Sequence, residues 1–343
     1  MSYSLGELAV RFGCELRGDP QQRVARVATL AGAAPGSLSF LANPHYRAQL
    51  AATRASAVVL DAATAAACPV AALVHANPYA TYARMAALLH PAAAVAAGIH
   101  PGAVIDPSAQ IDASAGIGAG TCIGPRVRIG AGCSIGPGCV LGEDVTVGAD
   151  CTLHARVTIE AGVRLGDRVI IQSGAVIGGD GFGFARDSSG WIKVPQLGSV
   201  QVGADVEIGA NTTVDRGAID DTVIAEGVKL DNQIQVGHNV SIGAHTVIAA
   251  CTGISGSTRI GARCVIAGGV GMGGHLEICD DVVITGLSMV SYSVHKPGVY
   301  SSGIPMESAP VWRRMVARFK RLEALTERVT RLERATNGTK VHE

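Results

Sequence analysis

Residues 115–141 read AGIGAGTCIGPRVRIGAGCSIGPGCVL, and an aliphatic side chain returns in this stretch at every sixth position. The same period runs without a break from Ile99 to Ile177, where all fourteen positions hold Ile, Leu or Val. A fixed short period is typical of a repeat solenoid and not of a globular core. Three such hexads form one triangular coil, and coils stack at the ~4.8 Å spacing of paired strands. The pattern therefore predicts a parallel β-helix of about ten coils with its aliphatic side chains pointing inward.

Two irregularities break this repeat within the β-helix, which we assign to residues 99–295. An insertion at about 178–201 interrupts the repeat, which resumes at Val202. Between Val214 and Ile224 the repeat also slips by four residues. A segment that leaves a solenoid must lie on a face or an edge, where functional loops are commonly found. The Gly-rich start of the insertion is not a phosphate loop, because no Gly-Lys-Ser or Gly-Lys-Thr follows it.

The composition limits the classes of function. The chain has 343 residues, a formal net charge of zero and 16% charged residues, so it shows no electrostatic footprint for nucleic acid. Nine cysteines fit no metal or disulfide spacing. Four of them fall at an inner, small-residue position of the repeat: Cys133, Cys139, Cys151 and Cys264. Buried thiols suit a reducing compartment, and the N-terminus lacks the regions of a signal peptide. Because no run of 18 apolar residues is present, we expect a cytoplasmic protein with at most peripheral membrane contact.

Residues 1–98 lack the period of six and are predicted to form a small α/β domain. Ser4 and Glu7 make a capping box for a helix that ends near Phe12. Apolar strand-like runs then alternate with helical stretches, as in small α/β folds. The strand-like runs are 24–27, 37–41, 57–60 and 70–74, and the helical stretches lie near 45–53 and 78–89.

Two aromatic residues of this domain, Phe40 and Tyr46, flank Asn43 in a chain that is only 4% aromatic. Two rings with a polar amide midway between them are suited to holding a flat base. Aromatic side chains also fill the cores of small domains, and composition alone favours that simpler interpretation.

His238 lies two places after the repeat residue Val236, at an outward-facing position. Gly256 follows 18 residues later and so stacks one coil above His238, ~4.8 Å away. His275 lies two coils above and one position over. One edge of the prism would thus carry a base (His238), an unshielded backbone N–H (Gly256) and a second polar side chain (His275) that could hold a ligand. The alternative is that His238 is a solvated turn residue. No metal is predicted, because the chain lacks the His-x-x-x-x-His pair of the carbonic anhydrases built on β-helices.

The segment 296–343 begins with a turn-rich crossing and becomes helical from Val311. Four apolar residues in 3-4-3 spacing predict a helix that packs against symmetry mates: Leu322, Leu325, Val329 and Leu332. A basic cluster precedes them: Arg313, Arg314, Arg318, Lys320 and Arg321. A solvated face is the default interpretation of this cluster, and docking of an acidic partner is the sharper one.

Taken together, these segments resemble the UDP-3-O-acylglucosamine N-acyltransferases of lipid A biosynthesis, which are hexapeptide-repeat proteins. The resemblance spans nearly the whole chain and rests on residues 39–46, 178–184, 213–217, 231–239, 274–277 and 297–305. It implies a left-handed parallel β-helix, against the usual right-handed preference of crossover connections. It also implies a homotrimer whose active sites lie in the clefts between neighbouring prisms.

The resemblance further implies a reaction. An (R)-3-hydroxyacyl group would pass from the 4′-phosphopantetheine of acyl carrier protein to the 2-amino group of UDP-3-O-acylglucosamine, without another cofactor. Phe40 and Tyr46 would then hold the uracil ring, with Asn43 bonded to its polar edge. Met289 matches the position that limits acyl-chain length in the family. The helix from Trp312, with its basic cluster, would be where the acidic carrier protein docks.

Within this reaction His238 is the predicted general base and the Gly256 N–H the predicted oxyanion donor. His275, Asp231 and Asn232 are predicted to contact substrate or orient the base. We expect direct transfer, because the repeat places no cysteine beside His238 for an acyl-enzyme. Two alternatives stay open. One is a related UDP-sugar O-acyltransferase or acetyltransferase on the same fold, and the other is a non-catalytic trimer that senses a nucleotide.

Overall fold

A computed structural model describes residues 2–91, 96–303 and 305–338. The chain divides into two compact units, one ending and the other beginning between residues 91 and 96. The first strand of the second unit is Gly98–Ile99. The β-helix therefore begins one residue before the predicted limit.

The N-terminal unit is a five-stranded sheet that carries helices on both faces. In spatial order its strands are Glu15–Arg17, Ala71–Val74, Ala57–Leu60, Ser37–Phe40 and Arg26–Val27, and only the first of them is antiparallel to its neighbour. A second, two-stranded sheet pairs Tyr3–Ser4 with Arg23–Val24. The helices are α1 (Leu5–Phe12), the 3₁₀ turn Pro44–Tyr46, α2 (Arg47–Leu50), α3 (Ala62–Ala65) and α4 (Pro78–Leu89).

Alternation along the strands explains the two helical layers. Ala57 and Val59 pack in one cluster with side chains of α1 and α4, whereas Val58 and Leu60 pack in the other with those of α2 and α3. The predicted capping box is confirmed, since Ser4 Oγ accepts from the Glu7 N–H and the Glu7 carboxylate accepts from the Ser4 N–H. The strand Glu15–Arg17 and helix α3 were not predicted, because elements this short show no periodicity.

The second unit is a three-sided prism of stacked, parallel two- to four-residue strands. Sheet 1 has eleven strands: Gly98–Ile99, Gly116–Ile117, Ser134–Ile135, Thr152–Leu153, Ile170–Ile171, Glu207–Ile208, Lys229–Leu230, Val247–Ile248, Val265–Ile266, Val282–Ile284 and Gly298–Tyr300. Sheet 2 has ten: Val104–Ile105, Cys122–Ile123, Val140–Leu141, Thr158–Ile159, Val176–Gly179, Thr213–Asp215, Gln235–Val236, Gly253–Ile254, Gly271–Met272 and Met289–Val290. Sheet 3 has nine: Gln110–Ile111, Arg128–Ile129, Thr146–Val147, Arg164–Leu165, Val200–Val202, Thr222–Ile224, Ser241–Ile242, Arg259–Ile260 and Glu277–Ile278.

Strand register follows the predicted coil length. Ile117 pairs with Ile135, so each inner aliphatic residue stacks on the one 18 positions later. The insertion lengthens one coil, in which Leu165 pairs with Val202, and the slip lengthens the next, in which Val202 pairs with Ile224. The stacked aliphatic side chains form one continuous buried core along the prism. The four cysteines predicted to lie inside are all buried: Cys133, Cys139, Cys151 and Cys264.

The β-helix extends past its predicted end at residue 295. Val294 bridges Ile278, and Gly298–Tyr300 adds the last strand of sheet 1 beside Val282–Ile284. The segment predicted as a turn-rich crossing therefore completes part of a further coil. The coil from Ile284 to Tyr300 has 16 residues instead of 18. The period of six therefore did not predict this strand.

The C-terminal segment contains two helices where the sequence predicted one. Helix α5 is Ala309–Phe319 and helix α6 is Leu322–Gly338, with a break at residues 320–321. The predicted heptad residues of α6 are all at least 44% exposed, as expected if their partner is another copy of the chain: Leu322, Leu325, Val329 and Leu332. Among the described helices none is long and apolar enough to cross a bilayer.

Candidate active site

His238 lies on the prism edge that joins sheet 2 to sheet 3, two residues after the strand Gln235–Val236. Its ring lies directly against Gly256 of the next coil. A Cβ built on Gly256 would stand 2.6 Å from both Cε1 and Nε2 of the imidazole. This is closer than any real side chain could approach, so only glycine admits the ring at this place. The predicted stacking of His238 on Gly256 is confirmed.

The backbone of Gly256 presents a free donor. Its carbonyl accepts a hydrogen bond from the His275 N–H at 3.1 Å. Its own N–H has no acceptor among the described residues of the chain. A backbone N–H beside an imidazole is the combination that an addition reaction at a carbonyl requires.

A cleft of about 1220 Å³ opens over His238 and Gly256. Its walls come from sheet 2, from the edge that carries His238 and from the insertion. The remaining lining residues are Asp180, Gly181, Phe182, Phe184, Lys193, Asp215, Gln235, Gly237, Gly253, Ile254, Ser255, Gly271, Met272, Gly273, Met289, Val290 and Ser291.

Two columns of mostly small residues, each spaced 18 apart in sequence, turn the outer face of sheet 2 into a groove that runs along the prism axis. The second of these columns is Gly237, Ser255, Gly273 and Ser291. In the first column, strand register places Gln235, Gly253, Gly271 and Met289 one above another. A Cβ on Gly253 or Gly271 would meet no atom within 4 Å, so both glycines leave open space outside the sheet. The groove therefore passes from the level of His238 over about three coils, roughly 14 Å, until Met289 closes it.

Met289 is 77% exposed and lines the cleft, where the sequence predicted a limit to acyl-chain length. Its N–H donates to Ser302 Oγ at 2.8 Å, which ties its backbone to the last, irregular coil. Ser291, on the neighbouring column, leaves room beside the methionine. The groove is thus closed by one flexible apolar side chain.

The insertion forms part of the cleft. It contains a two-stranded hairpin, Phe184–Asp187 and Gly190–Lys193. Gly181 packs so closely on His238 that a Cβ there would lie 2.6 Å from the histidine Cβ. Arg216 fixes the start of the insertion, since its Nε donates to the Gly178 carbonyl at 2.7 Å. The insertion therefore lines the cleft and packs on His238, and its functional role stays a prediction.

Asp215 is a cleft residue that the sequence analysis did not single out. The register of Thr213 with Gln235 brings it beside Gly237, the residue before His238. Gln235 Nε2 donates to its carboxylate at 2.9 Å. Burial raises the pKa of Asp215, while the bond from Gln235 and the charge of a protonated His238 oppose that rise. The carboxylate is thus suited to stabilising an imidazolium.

We predict that Asp215→Asn raises thermal stability at neutral pH while slowing catalysis. A carboxyl whose pKa is raised on folding binds its proton more tightly in the native state, so folding loses stability as pH rises above the ordinary aspartate value of 3.8. The advantage of the asparagine variant in Tm should therefore be absent at low pH and grow toward neutrality. Thermal melts of both proteins across that range test this. A constant difference in Tm would contradict it.

Asp231 and Asn232 do not join this cleft. They follow the sheet 1 strand Lys229–Leu230 and lie on a different edge, where they bound a separate groove. Their side chains accept backbone N–H groups, Asp231 from Ala250 at 3.1 Å and Asn232 from Ala210 at 2.7 Å. Within one chain they stabilise turns and do not reach His238, so the prediction that they orient the base is corrected. Their predicted contact with substrate stays a prediction.

His275 is exposed, at a left-handed turn position with φ of +59°. It stands two coils above His238, as predicted. The residues that line the cleft do not include it. Its predicted contact with substrate therefore stays a prediction.

The N-terminal unit has its own pocket of about 680 Å³. Phe40, Asn43 and Tyr46, the three predicted residues, all line it, together with Thr29, Leu30, Leu41, Ala42, Gln49 and Tyr79. The Asn43 Oδ1 accepts from the His45 N–H at 3.0 Å, which leaves its amide NH₂ for a ligand. Phe40 stacks on Tyr82 at a centroid distance of 4.1 Å and meets Tyr79 at 5.5 Å, so an aromatic cluster forms one wall of the pocket.

The predicted basic cluster surrounds the break between α5 and α6. Its five side chains are exposed and form no ion pair with any described residue: Arg313, Arg314, Arg318, Lys320 and Arg321. An apolar groove of about 900 Å³ lies beside them, lined by Trp312, Phe319 and Leu322 among others. Unpaired positive charge next to exposed aromatic residues is typical of a protein-binding surface.

Comparison with known proteins identifies the class first. The family model "Bacterial transferase hexapeptide (six repeats)" matches residues 115–161 and 144–179. A UDP-N-acetylglucosamine acyltransferase from Arabidopsis superposes with a TM-score of 0.54 at 22% identity, over 60% of this chain and 71% of that one. This likeness concerns the fold, and it agrees with the predicted left-handed β-helix. Repeat and fold together define a hexapeptide-repeat β-helix protein.

The particular family follows from closer matches. A model described as "UDP-3-O-(3-hydroxymyristoyl) glucosamine N-acyltransferase, LpxD" matches residues 21–88. Proteins named UDP-3-O-acylglucosamine N-acyltransferase are 54% identical in Hahella chejuensis, 52% in Pseudomonas aeruginosa and 49% in Coxiella burnetii. Each alignment covers 97% of this chain, and it covers 96%, 95% and 98% of the respective relative. The chain belongs to the UDP-3-O-acylglucosamine N-acyltransferase family, so the predicted fold class, family and enzyme class are confirmed.

Proposed function

We propose that this protein transfers a 3-hydroxyacyl group from an acyl carrier protein thioester to the 2-amino group of UDP-3-O-acylglucosamine, giving a diacylated precursor of lipid A. The observation that carries this proposal is the imidazole of His238 lying against the bare backbone of Gly256 at the mouth of an apolar groove. Family membership supplies the substrate class, since the relatives are named for that acceptor.

The chemistry requires a base. An amine attacks a thioester only as the free base, and the addition product must lose a proton to become a neutral amide. His238 Nε2 takes that proton, and the imidazolium then returns it to the departing sulfur. One C–N bond forms and one C–S bond breaks, so a thioester and an amine become an amide and a thiol. Asp215 stabilises the imidazolium between the two proton transfers.

The chemistry also requires a donor to the oxyanion. Attack converts the thioester carbonyl to a tetrahedral oxyanion, which the Gly256 N–H binds. With the carbonyl carbon at this level, the acyl chain extends along the groove past Gly253 and Gly271 toward Met289. The 3-hydroxyl group stays near the polar end of the cleft, which includes Ser255.

Carrier protein and oligomer complete the proposal. Acyl carrier protein, an acidic partner, docks on the basic cluster beside the break between α5 and α6. The enzyme works as a homotrimer in which the exposed apolar face of α6 packs against its copies. The pocket of Phe40, Asn43 and Tyr46 holds the uracil of the acceptor. No metal or further cofactor takes part in this scheme, and the enzyme acts in the cytoplasm.

Donor choice tests this function against a related acetyltransferase or O-acyltransferase. Purified protein is incubated with UDP-3-O-acylglucosamine and either 3-hydroxyacyl carrier proteins of several chain lengths or acetyl-CoA. We expect turnover with the carrier-protein donors and none with acetyl-CoA. Turnover with acetyl-CoA alone would replace the proposed function. Binding of the UDP-sugar without transfer from any donor would favour the nucleotide-sensing alternative.

Filling the groove should change the donor preference. We predict that Gly271→Leu lowers kcat/KM for long-chain donors by at least about tenfold while sparing short ones, because the new side chain occupies the acyl path. No neighbouring atom opposes a Cβ at this position, so the fold should be retained. Ser241→Leu adds the same side chain to the outer face of sheet 3 and serves as the control. An equal loss for donors of all lengths would contradict the assignment of the groove.

A further inference from the structure

The Asn239 side chain is held by two groups besides His238, and its backbone by a third. Its Oδ1 lies 3.1 Å from Nδ1 of His238 and accepts from the Ala218 N–H at 2.9 Å. Its Nδ2 donates to the Asp220 carbonyl at 2.8 Å, and its backbone N–H donates to Thr222 Oγ1 at 2.8 Å. Both ends of the amide are therefore fixed by the segment that precedes it in the coil below.

These contacts determine which way the amide faces. The Asp220 carbonyl can only accept, so it requires the NH₂ end, and the Ala218 N–H can only donate, so it requires the oxygen. The Oδ1 is consequently the group that meets the imidazole. Because an amide oxygen only accepts, Nδ1 of His238 must carry the proton. The other nitrogen, Nε2, is then the unprotonated one, and it lies against Gly256.

The groups that hold the Asn239 amide lie in the turn formed by the four extra residues between Val214 and Ile224. The coil from Val202 to Ile224 has 22 residues instead of 18, and the excess forms the turn that carries Ala218 and Asp220. Gly217 closes this turn, since a Cβ there would overlap the Asp220 carbonyl and stand 2.7 Å from Asn239 Nδ2. The slip thus places a backbone donor, the Ala218 N–H, and a backbone acceptor, the Asp220 carbonyl, around the Asn239 amide.

We infer that Asn239 is a positioning residue that holds His238 in the Nδ1–H tautomer, and that the turn formed by the four-residue slip fixes Asn239 in this role. The inference rests on the proposed function, in which Nε2 is the base. Asn239 reaches neither the groove nor the cleft lining, so its effect passes through the histidine. A wrong tautomer would present an N–H to the amine where a lone pair is needed.

Asn239→Gly removes the side chain without straining the backbone, because glycine accepts the φ of +60° at this position. Asn211→Gly is the matched control, since Asn211 is also a left-handed residue, with φ of +55°, and does not contact His238. We expect kcat of N239G to fall on the order of 10²-fold with little change in either KM. N211G should keep normal kcat, and N239G should melt at a lower temperature than N211G, because it also loses the bonds to Ala218 and Asp220. Equal kcat in the two variants would overturn the inference.

Two further readouts separate positioning from a general structural role. In a His238→Ala background, Asn239→Gly should cause no additional loss of rate, because its partner is gone. A second, multiplicative loss would show that Asn239 acts elsewhere. Nitrogen NMR of ring-labelled histidine, assigned with His238→Ala, should show Nδ1 protonated in the free enzyme and a mixture of tautomers in N239G. An Nε2–H tautomer in the free enzyme would overturn the inference even if acyl transfer is confirmed. Conversely, absence of transfer by the unmodified enzyme would refute the proposed function and leave the tautomer result standing.

Discussion

His238→Ala should lower the rate of acyl transfer on the order of 10³-fold, because it removes the group that accepts the amine proton. Binding of the UDP-sugar, measured by calorimetry, should be retained, since the pocket of Phe40 and Tyr46 belongs to the other compact unit. The oligomeric state should also be unchanged, because the His238 side chain is not part of the buried core of the prism.

The control for this variant is His154→Ala. His154 is an exposed turn residue of the same β-helix and lies outside the cleft. We expect it to have normal activity. Near-normal transfer by the His238 variant would remove this residue from the chemistry, and comparable losses in both variants would point to a general effect on the prism.

Gly256→Ala should lower kcat by about 10²–10³-fold, which is the usual effect of losing one oxyanion donor. The added methyl carbon would stand 2.6 Å from two ring atoms of His238, so the ring has to move away from the N–H. Both the base and the donor are then misplaced by a single carbon. A crystal structure of the variant would show the displaced ring.

Gly286→Ala controls for the effect of removing a glycine. It occupies the same place in its hexad, two residues after an inner aliphatic, and a Cβ there meets its nearest atom at an ordinary 3.4 Å. We expect it to be fully active. If Gly256→Ala retained normal kcat, the oxyanion role of this N–H would have to be given up.

The part of the site that the sequence predicts is the part governed by the repeat. Because the coil that leads from His238 to Gly256 is 18 residues long, simple spacing brings the two together. The same spacing aligns Gly271 with Met289. The repeat fixes these neighbours because a strand with a buried inner residue cannot slip its register without exposing it.

The part that the sequence did not predict depends on the interruptions. Asp215 lies at the start of the lengthened coil, so counting in units of 18 does not place it beside Gly237. Its presence in the family-like motif of residues 213–217 was the available signal. The details of the insertion have the same cause, since its loop and hairpin follow no repeat.

Closeness in sequence does not indicate a shared site in a three-sided prism. Asp231 and Asn232 precede His238 by only six or seven residues, which suggested a shared site. A hexad, however, carries the chain from one edge of the prism to the next, so residues six apart face different directions. Stacking at 18 residues indicates contact here, and proximity in sequence does not.

The most direct test of the proposed chemistry is a single turnover followed by mass spectrometry of both product and protein. With stoichiometric 3-hydroxyacyl carrier protein and UDP-3-O-acylglucosamine, we predict one new acyl group joined through an amide to the sugar nitrogen. Free thiol should appear on the carrier at the same rate, with the enzyme's own mass unchanged throughout. An ester-linked product, or an acyl group that accumulates on the enzyme before product forms, would contradict direct transfer with His238 as the base.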